Sequence, residues 1–263
     1  NSGIMKLNQA VGIIMGANIG TTITSWLLSL TGIQGSSFIL KMLKPSSFSP
    51  ILAIVGIIFI MFTKDEKKKD IGSIFLGFAI LMYGMEAMSG AVAPLADNEK
   101  FTGILTMFSN PILGLLAGTI LTAVIQSSSA SVGILQALCA TGAVNFSTAL
   151  PIIMGQNIGT CVTAIISSIG TSKNAKRAAA VHLFFNISGT VIFMVVFYTL
   201  NTFVHFSFLN TAASPAGIAV IHSLFNIGAT ILLFPFANLL EKMAILAIPD
   251  KGSEVEEMEE EKI

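Results

Sequence analysis

The chain has 263 residues, of which 53% are hydrophobic and only 11% are charged, and its mean hydropathy is +0.82. A soluble domain carries roughly 25% charged residues, so this composition excludes an ordinary soluble domain and predicts an integral membrane protein. The net charge is zero and indicates no nucleic-acid partner. Cys139 and Cys161 lie in apolar segments without Cys or His neighbours at ligand spacing, so we expect neither a disulfide nor a transition-metal site.

Apolar segments recur along the chain and predict an all-α, multi-pass membrane protein. A helix needs about 20 residues to cross the hydrocarbon layer. The predicted spans, of which the second is short, are residues 10–30, 48–63, 71–93, 149–170, 178–200 and 216–240. Glu86 is the acidic residue well inside a predicted span, which makes it a candidate functional residue.

The apolar block 111–142 differs from these spans because Gln126, Ser127, Ser128 and Ser129 interrupt it. The two pieces, of about 15 and 13 residues, are each too short to cross the bilayer. The block therefore predicts a re-entrant helical hairpin with its polar tip at mid-depth. Two full crossings by this block would leave the segments before and after it on the same sides of the membrane as a hairpin would. This alternative therefore stays open.

One polar phrase occurs twice. Residues 10–24 read AVGIIMGANIGTTIT, and residues 149–163 read ALPIIMGQNIGTCVT. Matching interrupted segments in two halves of a membrane chain are the sequence sign of a transporter built from repeats.

Lysine and arginine positions predict that the two copies have opposite orientations. Lys64 to Lys69 form one basic cluster, and Lys173, Lys176 and Arg177 form another; basic loops favour the cytoplasm. Both basic clusters lie on the cytoplasmic side only when the predicted spans 10–30 and 149–170 cross the membrane in opposite directions. Two copies with opposite orientations form an inverted-topology repeat. The expected organisation is a partial first repeat at 1–63, a cytoplasmic loop at 64–70, a second repeat at 71–249 and an acidic, disordered cytoplasmic tail at 250–263.

The interruption at Gln126–Ser129 has the chemistry of an anion site. A half-helix beginning there presents free backbone N–H groups and the positive end of its dipole, and hydroxyl groups can rotate to donate to an oxyanion. The alternative is a helix contact through small polar residues.

The repeated G-x-N-I-G-T has two interpretations as well. Asn and Thr oxygens suit a hard cation, and glycines four apart suit helix packing. A shorter echo pairs His182 and Asn186 with His222 and Asn226. There we favour polar packing between neighbouring helices, with proton coupling through a histidine as the alternative.

QSSSA, MGQNIGT and KRAAAVHLFFN together resemble the bacterial branch of the type II sodium-dependent phosphate cotransporters. The resemblance covers nearly the whole chain and implies two inverted repeats whose QSSS hairpin tips meet near the midplane and bind phosphate with sodium. It implies that Gln126, Ser127, Ser128 and Ser129 bind phosphate, with Gln126 also near sodium. The implied sodium or site-lining residues are Asn18, Thr21, Thr22, Asn157 and Thr160.

The resemblance also sets expectations about missing parts and alternatives. The first QSSS would fall upstream of residue 1, so we expect an N-terminally truncated chain. Cys161 in place of the Thr22 equivalent is a mild departure. The expected partners are phosphate, sodium and the lipid bilayer; no organic cofactor is expected, and a homodimer is one alternative for the oligomeric state.

The expected function is sodium-coupled phosphate symport by alternating access in the cell (inner) membrane, with the C-terminus cytoplasmic. One alternative is a carrier of another oxyanion, or one driven by protons. A second is a membrane scaffold or sensor that does not transport. An enzyme is not expected, because the sequence has no Ser/His/Asp set, metal cluster or nucleotide-binding glycine loop.

Overall fold

The computed structural model describes residues 5–32 and 45–249, so the predicted tail at 250–263 lies outside the described residues. The described residues form α-helices joined by short connections and single 3₁₀ turns, with one isolated β-bridge between Asn145 and Ala212. The helices are α1 (Leu7–Ser29), α2 (Pro45–Phe62), α3 (Glu66–Val92), α4 (Glu99–Met107), α5 (Pro111–Ile125), α6 (Ser128–Ala140), α7 (Phe146–Ser167), α8 (Lys173–Val204), α9 (Pro215–Leu233) and α10 (Ala237–Ala247).

Five described segments are long and apolar enough to cross a membrane, which confirms the all-α membrane fold class. They are Leu7–Gly32, Glu66–Leu95, Phe146–Ser167, Lys173–Val204 and Pro215–Ala247. Each contains most of one predicted span. The predicted span 48–63 lies on α2. The segment Ser47–Phe62 of this helix is one of the shorter apolar helices and is not among the five long ones.

The predicted loop at 64–70 is shorter than expected. Helix α3 already begins at Glu66, because the Asp65 carboxylate caps it by accepting a hydrogen bond of 3.0 Å from the Lys67 backbone N–H. An aspartate at this position satisfies a helix N–H group that would otherwise lack a partner. The four lysines of this segment therefore lie around the end of a helix instead of in an extended loop.

Helices α5 and α6 lie side by side in opposite directions, and that this pair is re-entrant stays a prediction. A Cβ atom on Gly155 would meet Leu115 and Thr119, and one on Gly159 would meet Thr119 and Thr122, so α5 runs parallel to α7. Helix α6 runs the other way. Its Ser131 carbonyl accepts from Gln156, whereas its later residues pack with the start of α7 in a cluster that includes Leu135, Cys139, Ala149 and Ile153. Two adjacent helices of opposite direction, joined at residues 126–127, make a helical hairpin.

The two copies of the repeated phrase run in opposite directions. The first turns of α1 and the last turn of α7 line one cavity. The far half of α1 instead reaches α6, where Ser25 accepts hydrogen bonds from Gln136 and Leu28 lies beside Gly133. Since this part of α6 packs on the start of α7, α1 and α7 are antiparallel, as the inverted-repeat interpretation requires.

Candidate functional site

The site is built around the tip of the α5–α6 hairpin. Gln126 ends α5 in the left-handed region at φ 58°, and Ser127 then extends the chain at φ −141°. The Ser127 hydroxyl accepts the Ala130 backbone N–H at 3.2 Å and so caps α6. The interruption is therefore only two residues long, and Ser128 and Ser129 already occupy the first turn of α6.

Polar side chains of three helices meet at this tip. Ser128 and Ser129 face Thr21, Thr24 and Ser25 of α1 and His222 of α9 across one small gap, which is too tight to admit a water molecule. Within the described part of the chain, the Ser128 and Ser129 hydroxyl groups form no hydrogen bond, and both residues are half-buried. These hydroxyls are therefore available to a ligand once the gap widens.

Buried amides hold the hairpin in place. The Thr122 hydroxyl donates to the Ser131 hydroxyl at 2.7 Å and ties the two hairpin helices together one turn from the tip. The Gln156 amide donates to the Ser131 carbonyl at 3.0 Å.

The Gln136 amide joins three helices. It donates to the backbone carbonyls of Ser25 and Pro215, both at 3.0 Å, and so connects α6 to α1 and α9. Neither Gln136 nor Gln156 was among the predicted site residues. The sequence feature that could have identified them is a polar amide side chain inside an apolar segment. Membrane helices rarely carry such a side chain unless it has a structural or functional role.

The two copies of the repeated phrase use the same local hydrogen bond. Asn18 Nδ2 donates to the Ile14 carbonyl, and Asn157 Nδ2 donates to the Ile153 carbonyl, both at 2.9 Å. Both asparagines are buried. This bond fixes each side-chain amide and directs its Oδ1 atom away from its own helix backbone.

The threonines of the phrase also bond to their own helices. The hydroxyls of Thr21, Thr22 and Thr160 donate to the carbonyls of Asn18, Ile19 and Gln156 at 2.7 to 2.8 Å. A hydroxyl used in this way keeps its oxygen lone pairs for a cation.

The glycines of the phrase differ between the copies. In α7, a Cβ atom on Gly159 would lie 2.6 Å from the Thr119 carbonyl oxygen and 2.7 Å from Thr122 Cβ, so the glycine packs directly on α5. In α1, Cβ atoms on Gly16 and Gly20 would meet no described atom within 4 Å. The packing interpretation of these glycines therefore holds for the second copy in the described structure.

The structure brings some predicted site residues together and leaves others apart. Thr21, Ser128 and Ser129 line the same gap. Ser127 caps α6, and Gln126 is exposed, so neither lines the gap in this conformation. The remaining predicted residues lie on α1 and α7 outside it, namely Asn18, Thr22, Asn157 and Thr160.

Outside the tip, Glu86 is exposed on α3 and does not line the gap. Across residues 5–32 and 45–249, no group of three His, Cys, Asp or Glu side chains is placed to hold a metal ion.

Comparison with known proteins decides the family. The model of the Na+/Pi-cotransporter family matches residues 1–90 and 80–215, and each match contains one copy of the repeated phrase. The chain belongs to this family. Membership of the Na+/Pi-cotransporter family places the chain among transporters, as the resemblance implied.

Curated relatives are similar to the chain over different shares of its length. The uncharacterized protein YqeW of Bacillus subtilis is 28% identical over 95% of the chain and 76% of its own length. The putative inorganic phosphate export protein YjbB of Escherichia coli is 24% identical over 94% of the chain, which spans only 43% of that protein. The rat sodium-dependent phosphate transport protein 2A is 39% identical over 41% of the chain and 17% of its own length. No solved structure matches the chain significantly.

Proposed function

We propose that the protein is a sodium-coupled transporter of inorganic phosphate that binds the anion at the hairpin tip. The observation that carries this proposal is the meeting of Ser128 and Ser129 with Thr21 and Thr24, hydroxyl residues from elements of opposite repeats, at the N-terminus of α6. Hydroxyl donors and a helix N-terminus suit a tetrahedral oxyanion. Family membership supports phosphate as that anion.

The surroundings of the tip favour cation coupling. Helices α1, α5, α6, α7 and α9 carry no Lys, Arg, Asp or Glu. A phosphate dianion there has no side-chain cation to balance it, so co-transported cations would supply the balance. Each elementary charge crossing 100 mV is worth about 2.3 kcal/mol, so two or more sodium ions offset the work of moving the dianion inward.

The closed gap and the antiparallel copies support alternating access. In this conformation the hydroxyls touch a space too small for water, so phosphate enters only after the helices around the tip separate. Inverted repeats provide two related arrangements that open the same central site to opposite sides. We assign the end of the bundle that carries Lys173 and Lys176 to the cytoplasm of the cell membrane, because basic residues favour that side.

A second candidate is phosphate export, or transport driven by protons. The name of YjbB, a putative inorganic phosphate export protein, supports the outward direction. The position of His222 beside the serines supports proton coupling, because an imidazole nitrogen can accept and release a proton. The same binding site serves each of these candidates, which differ in the driving ion and the direction.

Transport of labelled phosphate in proteoliposomes tests these candidates. We expect uptake down an inward sodium gradient, little uptake when choline replaces sodium, and at least a tenfold loss, as about 1.4 kcal/mol would give, in Ser128→Ala. Ser109→Ala is the matched control, because Ser109 is exposed and bonds only to its own segment.

Three other outcomes would change the proposal. Phosphate transport that ignores sodium but follows a proton gradient establishes proton coupling. Phosphate uptake that is faster with an outward sodium gradient establishes exchange of sodium for phosphate, which exports phosphate from a cell that has an inward sodium gradient. Wild-type transport in Ser128→Ala removes the hairpin tip from the mechanism. Competition by arsenate and sulfate defines which oxyanions the site accepts.

A further inference from the structure

A groove between α2 and α3 contains Glu86, an acidic residue that the serine tip does not use. The groove has a volume of about 290 Å³ and is lined mainly by apolar side chains, together with Ser49, Tyr83 and Glu86. In residues 5–32 and 45–249, Glu86 forms neither a hydrogen bond nor an ion pair. Acidic residues in membrane-spanning helices normally have a functional partner, so Glu86 indicates a cationic ligand for this groove.

Close packing at one point and small side chains beyond it create the groove. A Cβ atom on Gly56 would lie 2.6 Å from the Gly72 carbonyl oxygen, and one on Gly72 would lie 2.7 Å from the Gly56 carbonyl oxygen, so α2 and α3 touch there. Beyond this crossing the groove is lined by Ser49 and Ala53 of α2 and by Ala79 of α3. Their small side chains leave space between the two helices.

The groove opens on the apolar outer surface of the helix pair. Ile80 and Tyr83 line it and are 63% and 74% exposed. Helix α2 packs mainly on α3, so no other described helix closes the groove from the side of α2. Large apolar side chains that are exposed on a membrane-spanning helix face lipid tails, which are equally apolar. A lipid molecule can therefore enter the groove sideways from the bilayer.

The length and depth of the groove match one leaflet. Glu86 lies sixteen residues after Asp70, which is about 24 Å along the helix axis from the charged start of α3. The hydrocarbon layer is about 30 Å thick, so Glu86 lies near its opposite boundary, a level at which Tyr side chains are common. Leu76 lines the other end of the groove, ten residues or about 15 Å before Glu86. This distance is half of the hydrocarbon layer, which is the depth of one acyl chain.

The charge in the groove selects among lipid headgroups. A carboxylate repels an anionic headgroup, and no Lys or Arg lines the groove to attract one. A primary ammonium group carries three N–H donors and a positive charge, so it can form a charge-assisted hydrogen bond with the Glu86 carboxylate. The hydroxyl oxygens of Tyr83 and Ser49 offer further acceptors.

We propose that this groove binds a phospholipid whose headgroup carries a primary ammonium group, from the leaflet opposite the lysines at the start of α3. The ammonium group contacts Glu86, and one acyl chain lies along Ala53, Ala79 and Leu76. The inference rests on the membrane fold and on the position of one acidic residue, so it does not depend on which anion the protein transports.

Native mass spectrometry of the purified full chain tests the proposal. The protein is titrated with phosphatidylethanolamine and with phosphatidylglycerol that have the same acyl chains. We expect phosphatidylethanolamine to bind about tenfold more tightly, as one charge-assisted hydrogen bond would give, and to raise the Tm more. Glu86→Gln should remove this preference. Glu99→Gln is the matched control, because Glu99 is exposed on α4 and lies outside the groove.

Ala53→Phe tests the acyl part of the site. The larger side chain fills the groove, so we expect weaker binding of both lipids. Equal binding of the two lipids by the wild type, or a preference that Glu86→Gln keeps or that Glu99→Gln also removes, would overturn the proposal. A wild-type dimer that Ala53→Phe dissociates would overturn it as well, since a second copy of the chain would then occupy the groove.

Discussion

Replacing Gly159 by alanine tests whether packing of α5 on α7 positions the serine tip. The added Cβ would lie 2.6 Å from the Thr119 carbonyl oxygen and 2.7 Å from Thr122 Cβ, whereas ordinary contacts begin at 3.4 Å. Since the obstacle is mainly the backbone of α5, this helix has to move away by roughly 0.8 Å. Overpacking of this kind costs about 1–3 kcal/mol, which the better helix propensity of alanine offsets by about 1 kcal/mol.

The displaced helix carries the tip with it, because Thr122 lies one turn before Gln126. Misplacing a binding group by about 1 Å can cost two orders of magnitude in rate, so we expect phosphate transport to fall more than the Tm does. Labelled-phosphate transport and thermal unfolding are measured on the same preparation. Gly77→Ala is the control, because a Cβ there meets no atom within 4 Å and Gly77 is exposed on α3. Wild-type transport and stability in Gly159→Ala would show that α5 does not pack here.

Three further changes test other parts of the structure. Gln136→Leu should lower the free energy of unfolding by about 1–3 kcal/mol for each carbonyl left without its donor, measured by chemical denaturation, and equal stability would refute the three-helix bridge. Cys139 and Cys161 are buried, so maleimide should label them only after unfolding in SDS, as mass spectrometry will report. Asp65→Ala should cost about 1 kcal/mol by removing the cap of α3, seen as a lower Tm; an unchanged Tm would contradict it.

The sequence predicted the features that depend on local chemistry. The polar interruption in an apolar block predicted a break between two helices, which the structure places at Gln126 and Ser127; the re-entrant course of the block stays a prediction, based on pieces that are each too short to span a bilayer. Charge positions predicted that the repeated phrases are antiparallel, and the contacts of α1 with α6 agree with this. The exact length of the interruption depended on Ser127, whose side chain caps α6 and leaves Ser128 and Ser129 inside the helix.

Features that depend on long-range packing were not predictable from the sequence. Thr24, Ser25 and His222 join the tip because α1 and α9 pack against it, and no spacing in the chain encodes that contact. The glycines of the two phrases look equivalent in the sequence, yet Gly159 is packed and Gly20 meets no described atom. The local sequence pattern determines which contacts a residue is able to make. The packing of neighbouring helices determines which of these contacts form.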